Sequence, residues 1–363
     1  MLPLPGEDKQ VSPYLAFYVI VTVQVGVAIL SFESNLVKDA GQDMWISILM
    51  AATATHVLIW MTYQILNKGE NDITVIHRQL FGKWIGGLLS FLFIIYLFMI
   101  FVLTLRTYIE VIQLWMFPQI QNWYVALIIA AIVYLYVIGG FRVIVGLCVI
   151  SFFLTIPLLA LKIFPLKEGL IIYLFPVFDH HIVALVEAAK TMALNYSGFE
   201  VLLFCYPFFK QAPLSHKWAQ LGSAASTFIY LAAALVSIMY FTKEHLAEVF
   251  WPTLTLWKIV DLPFMERLEY LGVALWLFVI LPNLCLYLWA ATRGLKQLFA
   301  IRQKKSLVFF LFLGVLFCAF LREPAYTERL LRFINEAGLY VMYIYIPFLY
   351  VYQLIYHKLR GQR

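Results

Sequence analysis

Apolar residues run in long blocks along this chain, separated by short connectors that hold most of the charge. An α-helix crossing a bilayer needs about 20 mostly apolar residues. Ten blocks meet that length or come near it: Tyr14–Val37, Met44–Leu66, Trp84–Leu114, Trp123–Ile138, Val143–Phe164, Ile182–Phe209, Trp218–Phe241, Leu268–Thr292, Leu307–Leu321 and Leu339–His357. The third and sixth are longer than a crossing requires, so tilt or a break is expected in them. Single prolines at Pro157, Pro207, Pro282 and Pro347 interrupt later blocks. Each removes a donor and kinks its helix, which neighbouring helices can repair. The pattern predicts an all-α integral membrane protein with ten transmembrane helices. They form a single transmembrane domain over residues 1–363, in two sets of five over 12–166 and 180–357.

Two blocks carry polar and glycine residues near their middles, Val23-Gln24-Val25-Gly26-Val27-Ala28 in the first and Leu194-Asn195-Tyr196-Ser197-Gly198-Phe199-Glu200 in the sixth. Unwound backbone at membrane depth is tolerated only against protein or a wet cavity. A matched pair of interruptions, one per half, points to a transporter-type binding site at the midplane. Unwinding near Gly26 frees the N–H groups of Val27 and Ala28, which favour an anion such as a carboxylate. Unwinding near Ser197 frees carbonyls around Leu194 and Asn195, which favour an ammonium group. Together they suit a small zwitterion. The expected ligand-binding residues are Gln24, Val25, Gly26, Val27, Ala28, Asn195, Tyr196, Ser197, Gly198 and Phe199, with Tyr196 and Phe199 as walls. Read singly, Gly26 and Gly198 are packing glycines of a kind common in membrane helices; their matched placement favours the site.

Composition supports lipid as the main solvent. The chain is 63% hydrophobic and 13% charged, against about 25% charged in soluble domains. The net charge of +6 is spread over short connectors, so it encodes orientation and predicts no nucleic-acid partner. With the N-terminus inside, the inner connectors hold 15 positive side chains and four acids, and the outer ones, counting Lys162 near the outer end of its block, nine and 11. Both termini are therefore expected in the cytoplasm. The inner segment Gly69–Lys83 looks amphipathic through Ile73, Ile76, Leu80 and Phe81, and the outer segment Thr242–Arg267 has room for a small surface helix. Trp45, Trp84, Trp115, Trp123 and Trp218 read as interface anchors. The N-terminus shows no cleavable signal pattern, so the first block is expected to stay as a span.

Ionisable residues inside the blocks are functional candidates by default. Arg106 with Glu110, and Glu187 with Lys190, stand at helical pairing distance and are expected to neutralise each other. Glu269 falls at an outer interface. Glu33 and Glu200 have no local partner. Glu200 reads equally as a cap on the half-helix after Gly198 and as a gating or proton-handling group; Glu33 leans toward the latter. His56 reads as an interior hydrogen-bonded histidine, and His180-His181 lacks further metal ligands. Cys148, Cys205, Cys285 and Cys318 sit in apolar stretches without metal or disulfide spacing. There is no Walker loop, no G-x-S-x-G, and no grouping of nucleophile, base and orienter. No enzyme activity, catalytic residue, metal or cofactor is expected.

Several short motifs, in order, resemble spore germination receptor B subunits, the GerAB-like proteins. They are Leu30-Ser31-Phe32, Ala40-Gly41-Gln42-Asp43-Met44-Trp45-Ile46-Ser47, Phe81-Gly82-Lys83-Trp84-Ile85-Gly86, Ser197-Gly198-Phe199-Glu200 with Tyr206-Pro207, Trp251-Pro252-Thr253, and Glu266-Arg267-Leu268. The resemblance implies membership of the amino acid–polyamine–organocation (APC) transporter superfamily, with a LeuT/APC-like five-plus-five inverted repeat and broken first and sixth helices. It implies the spore inner membrane, a small nutrient ligand such as an amino acid, and work beside an A subunit and a C-subunit lipoprotein to trigger germination. The third and eighth spans would wall the pocket. Two departures stand out: Glu33-Ser34-Asn35 replaces a stretch that commonly contains proline, and the fifth span has no mid-depth lysine, Lys162 lying near its outer end. Proton-coupled transport is therefore not implied. The alternative function is an amino-acid permease of the same superfamily; a scaffold or channel subunit with vestigial breaks is the third.

Overall fold

The computed structural model describes residues 4–260, 267–321 and 324–360. Glu266 of the last motif and Arg363 of the charge tally lie outside the described residues. Sixteen α-helices follow one another among the described residues: α1 Ala16–Gln24, α2 Phe32–Ala40, α3 Met44–Gly69, α4 Ile73–Trp115, α5 Asn122–Ile138, α6 Phe141–Ala160, α7 Ile163–Glu168, α8 Ile182–Asn195, α9 Leu202–Cys205, α10 Ser215–Tyr240, α11 Lys243–Glu248, α12 Pro252–Lys258, α13 Leu268–Phe299, α14 Gln303–Phe320, α15 Pro324–Tyr340 and α16 Ile346–Arg360. An all-helical chain is what lipid demands, because each helix satisfies its own backbone.

Seven of the described helical stretches are long and apolar enough to cross a membrane: Phe32–Gly69, Ile73–Trp115, Phe141–Glu168, Ala212–Tyr240, Leu268–Phe299, Gln303–Phe320 and Tyr326–Leu359. Three of the expected ten blocks fall short of that standard. Two are the broken ones, whose remaining pieces include Pro13–Gln24 and Phe199–Phe208. The third, Asn122–Ile138, spans only about 26 Å at the helical rise.

The helices pack around α13. Of its most apolar window 72% is buried, against 28% for Tyr326–Leu359 at the rim. It lies along α4 and α6, while α1 packs on α10 and α6, and α2 and α3 both pack on α8. The outer shell is apolar: Phe228, Phe309, Phe312 and Phe320 are all exposed. An exterior of that kind has lipid as its solvent, and the chain is a multi-pass membrane protein.

Two connectors depart from expectation. The amphipathic segment does bury Ile73, Ile76 and Leu80, but it runs into the third block as one helix, bent where Gly82 takes φ +77°. The outer segment gives α11 and α12, yet α12 is no surface helix. Trp257 is fully buried, and the Thr253 hydroxyl donates to the Ile29 carbonyl at 3.2 Å. Its apolar face continues the core.

Candidate functional site

Both interruptions are real breaks in helix. After α1, Val25 (φ −98°, ψ 79°) and Gly26 (φ −110°, ψ −146°) leave the helical region. A 3-10 turn over Val27–Leu30 and a bend at Ser31 precede α2. The first N–H groups of that turn have no intrahelical acceptor. In the sixth block, α8 ends at Asn195 and the helix resumes with a 3-10 turn over Phe199–Val201. Between them Gly198 holds φ +103°, a conformation that L side chains rarely adopt.

Hydrogen bonds join the two breaks. The Gln24 Nε2 amide donates to the Tyr196 carbonyl and to Ser223 Oγ on α10, each at 3.3 Å. The Tyr230 hydroxyl on α10 donates to the Gln24 carbonyl at 2.7 Å and reaches the Asn195 carbonyl at 3.4 Å. The Leu194 carbonyl accepts from the Ser197 N–H at 3.2 Å. The carbonyls expected to stand free in the sixth block are thus engaged by the protein itself.

A cavity of about 490 Å³ lies against both breaks. Gln24, Gly26, Val27, Ala28, Asn195 and Ser197 line it. Val25, Tyr196, Gly198 and Phe199 do not. Tyr196 and Phe199 are fully buried and pack into the protein, Tyr196 edge-on to Tyr230 with its hydroxyl donating to Thr227 Oγ1 at 3.1 Å. The walls come instead from Tyr96 and Ile100 on α4, Asn283 and Tyr287 on α13, and Leu331 and Ile334 on α15. Of the charged described residues that line the cavity, Lys38, Glu248 and Glu328 lie on segments that the charge tally assigns to the outer side, and Glu110 lies near the end of the third block that leads to that side. The cavity therefore runs from a neutral floor at the breaks to a charged mouth beside α11.

Glu200 and Glu33 are both fully buried, and neither lines the cavity. Glu200 Oε2 accepts from the Gly198 N–H at 2.5 Å and Oε1 from the Tyr96 hydroxyl at 3.1 Å. The first bond ties the carboxylate to the backbone where the following half-helix begins. Glu33 has a partner that its neighbours in sequence could not reveal. Lys162 Nζ, just past α6, sits 2.8 Å from Glu33 Oε1, although the two stand 129 residues apart. Ser237 Oγ on α10 and Thr253 Oγ1 on α12 donate to the same oxygen at 3.2 and 3.0 Å. The lysine expected near the outer end is 4% exposed.

The other paired charges stand as follows. Arg106 faces Glu110 at 3.7 Å and Lys190 meets Glu187 at 2.5 Å. Glu269, expected at an interface, is 3% exposed and meets Arg267 at 3.3 Å. Asp43 accepts from the N–H groups of Phe178, Asp179 and His180, and His180 Nδ1 lies 3.3 Å from it. No cluster of three or more metal-ligating side chains occurs among the described residues.

Sequence reasoning passed over Asn283, Tyr96 and Tyr287, and it named Lys162 without finding its partner Glu33. Asn283 was open to notice, as a polar residue after Pro282 in an otherwise apolar run.

The spore permease family, described as spore germination protein, matches residues 10–327. The chain is similar to the spore germination protein GerQB of Bacillus cereus, 38% identical over 354 residues, covering 97% of this chain and 98% of that one. Two transporter structures share the fold. A Na+-coupled sialic acid symporter, in a substrate-bound outward-open state, aligns with a TM-score of 0.62 at 10% identity, over 95% of this chain and 76% of that one. Mhp1, a nucleobase-cation-symport-1 family transporter in a closed conformation, aligns with a TM-score of 0.60 at 13% identity, over 93% and 78%. The match across most of its length and the GerQB similarity show that this chain belongs to the spore germination protein family, as a germinant receptor B-like member with a transporter fold.

Proposed function

We propose that this chain is the membrane subunit of a spore nutrient-germinant receptor, binding a small nutrient such as an amino acid between its two breaks. The observation that carries the reading is the cavity that touches Gln24, Gly26, Val27 and Ala28 on one break and Asn195 and Ser197 on the other. Ten crossings in a five-plus-five inverted repeat, both termini in the cytoplasm and residence in the spore inner membrane complete it. Ligand binding shifts the population between two arrangements of the cavity. An A subunit and a C-subunit lipoprotein read that shift and trigger germination. Gly26 gives the cleanest test, because a Cβ there meets nothing closer than Asn283 Nδ2 at 3.4 Å and points at the cavity wall. Spores carrying Gly26→Val, at normal protein level, should respond weakly to nutrient, as followed by dipicolinic acid release. A full response would overturn the assignment.

The second reading is an amino-acid permease that moves its ligand. The fold shared with two transporters favours it. Uptake of radiolabelled L-alanine by vesicles containing this chain alone separates the two, with concentrative uptake selecting the permease.

A further inference from the structure

A second hollow, of about 510 Å³, lies between α3, α8 and the stretch that joins α15 to α16. It opens on the lipid-facing surface, where its lining residues Tyr340 and Ile344 are exposed. Ala51 and Ala54 line it from α3, and Ala189 and Ala193 from α8. Side chains this small leave a groove where larger ones would fill the space between the helices. The third wall includes a π turn over Val341–Tyr345, through Tyr343. Such turns are rare and recur at functional sites. This one is anchored by the Tyr345 hydroxyl against Nε2 of the buried His77. The groove also backs onto the cavity between the breaks. Lys190 and Ala193 of α8 line the groove while Thr191 and Leu194 line the cavity, and Glu336 and Leu339 of α15 line the groove while Asn335 and Gly338 line the cavity.

Among the described residues, Lys190 and Glu336 are the charged ones that line the groove, and both are exposed. Lys190 meets Glu187, but an exposed pair of that kind is worth little, so the ammonium stays available. Glu336 pairs with no cation among the described residues. Lys190 stands about two turns to the outer side of the break at Ser197, so about 10 Å from it at the helical rise. From there a lysine stem reaches the edge of the hydrocarbon core, about 15 Å from the midplane. We propose that the groove binds a phospholipid whose headgroup carries a primary ammonium beside its phosphate. An acyl tail fills the apolar slot, the phosphate meets Lys190 and the ammonium meets Glu336. A partner subunit's helix would have to carry charges of its own into the membrane to match this rim, which is costly; a lipid has both at that level already. The bound lipid braces α8 and α15 from outside the cavity that they wall, and its binding is independent of what the cavity holds.

The test uses the full-length chain purified in detergent, wild type, Lys190→Gln, Glu336→Gln and Ala54→Phe. Each is titrated with palmitoyl-oleoyl phosphatidylethanolamine, phosphatidylcholine and phosphatidylglycerol. Native mass spectrometry counts bound lipid. The wild type should take up phosphatidylethanolamine about fivefold more tightly than phosphatidylglycerol, the scale of one exposed ion pair, with phosphatidylcholine, which is charged but has no N–H, between them. Glu336→Gln should lose that preference, and Lys190→Gln should weaken uptake of all three. Ala54→Phe should fill the slot and lose the tightly held lipid; the two glutamine variants carry the test if it fails to fold. Equal uptake of the three lipids by the wild type would mean a general lipid coat and would overturn the proposal. Unchanged uptake by either glutamine variant, or a tightly held lipid in folded Ala54→Phe, would overturn it too. In spore membranes, a photo-crosslinking residue at position 54 should yield a lipid adduct. A protein adduct there would give the groove to a partner subunit and overturn the proposal.

Discussion

The Gln24 side chain donates to the Tyr196 carbonyl over 3.3 Å, and the two residues stand 172 positions apart. That interval also separates Gly26 from Gly198. Matched interruptions in the two halves are thus tied together by a side chain of one and the bare backbone of the other. The bond explains why a glutamine is tolerated at membrane depth: its amide satisfies a carbonyl that the unwound helix has left without a helical partner.

Gln24→Leu should therefore cost stability beyond its own packing. It removes the bonds to Tyr196 and Ser223 and strands a buried carbonyl, a loss of about 1–3 kcal/mol. Ser223→Ala, which removes only one partner, should cost about 0.5–1.5 kcal/mol. Thermal unfolding of the purified variants gives the comparison. Equal melting of Gln24→Leu and wild type would mean that the breaks hold their shape independently.

The two glycines should respond differently to alanine. At Gly198 the backbone has φ +103°, and a Cβ would stand 2.6 Å from the Tyr287 hydroxyl and 2.9 Å from Val23 Cβ. Gly198→Ala then combines a left-handed backbone, about 1–2 kcal/mol, with overpacking of about 1–3 kcal/mol. Gly26→Ala meets only the Asn283 amide, at ordinary contact distance, and should leave folding nearly untouched while weakening the response to nutrient. Protein level and germination, measured side by side, should separate the two. A stable Gly198→Ala protein would contradict the packing account.

The glycine contrast shows what the sequence carries and what it withholds. Composition and block length were enough for an all-helical membrane chain, and glycine beside polar residues marked both interruptions. Which break residues face the cavity was not legible, because it depends on the rotation of each half-helix about its axis. Tyr196 and Phe199 looked like walls and turn into the core, while Tyr96 and Tyr287 arrive from distant helices. The partner of Glu33 was hidden for a related reason. A helix reveals its own neighbours at three and four residues, and nothing in a single sequence ties residue 33 to residue 162.

That pair leads to a prediction of its own. Glu33 and Lys162 are almost wholly buried and share Ser237 as a common hydrogen-bond partner. Removing one charge leaves the other uncompensated, so Glu33→Leu and Lys162→Met should each cost about 3–5 kcal/mol. The double variant should recover most of that loss, because apolar replacement of a whole buried pair is often neutral. A double-mutant cycle on unfolding free energies measures the coupling. Additive losses would show that the two charges act independently.

The C-terminal end of the sixth block is held by the segment ahead of α1. The Val11 N–H donates to the Phe208 carbonyl and the Lys210 N–H to the Val11 carbonyl, both at 2.8 Å. Gln10 Nε2 reaches the Pro207 carbonyl at 3.3 Å, and Arg142 Nη1 holds the Asp8 carbonyl at 2.8 Å. Residues 8–11 thus form a strap across the end of the chain opposite the cavity mouth. Proline at position 11 has no N–H to give, and the Phe208 carbonyl would lose its partner. In Val11→Pro, amide hydrogen exchange in the peptide over 206–210 should quicken, since the Lys210 N–H depends on the strap staying in place. Arg142→Ala should quicken it less, because it removes a single anchor from the strap and leaves the paired backbone intact. Exchange in Val11→Pro at the wild-type rate would mean that this end is closed by the packing of Phe208 and Phe209 against Phe141, with the strap lying over a seal already made.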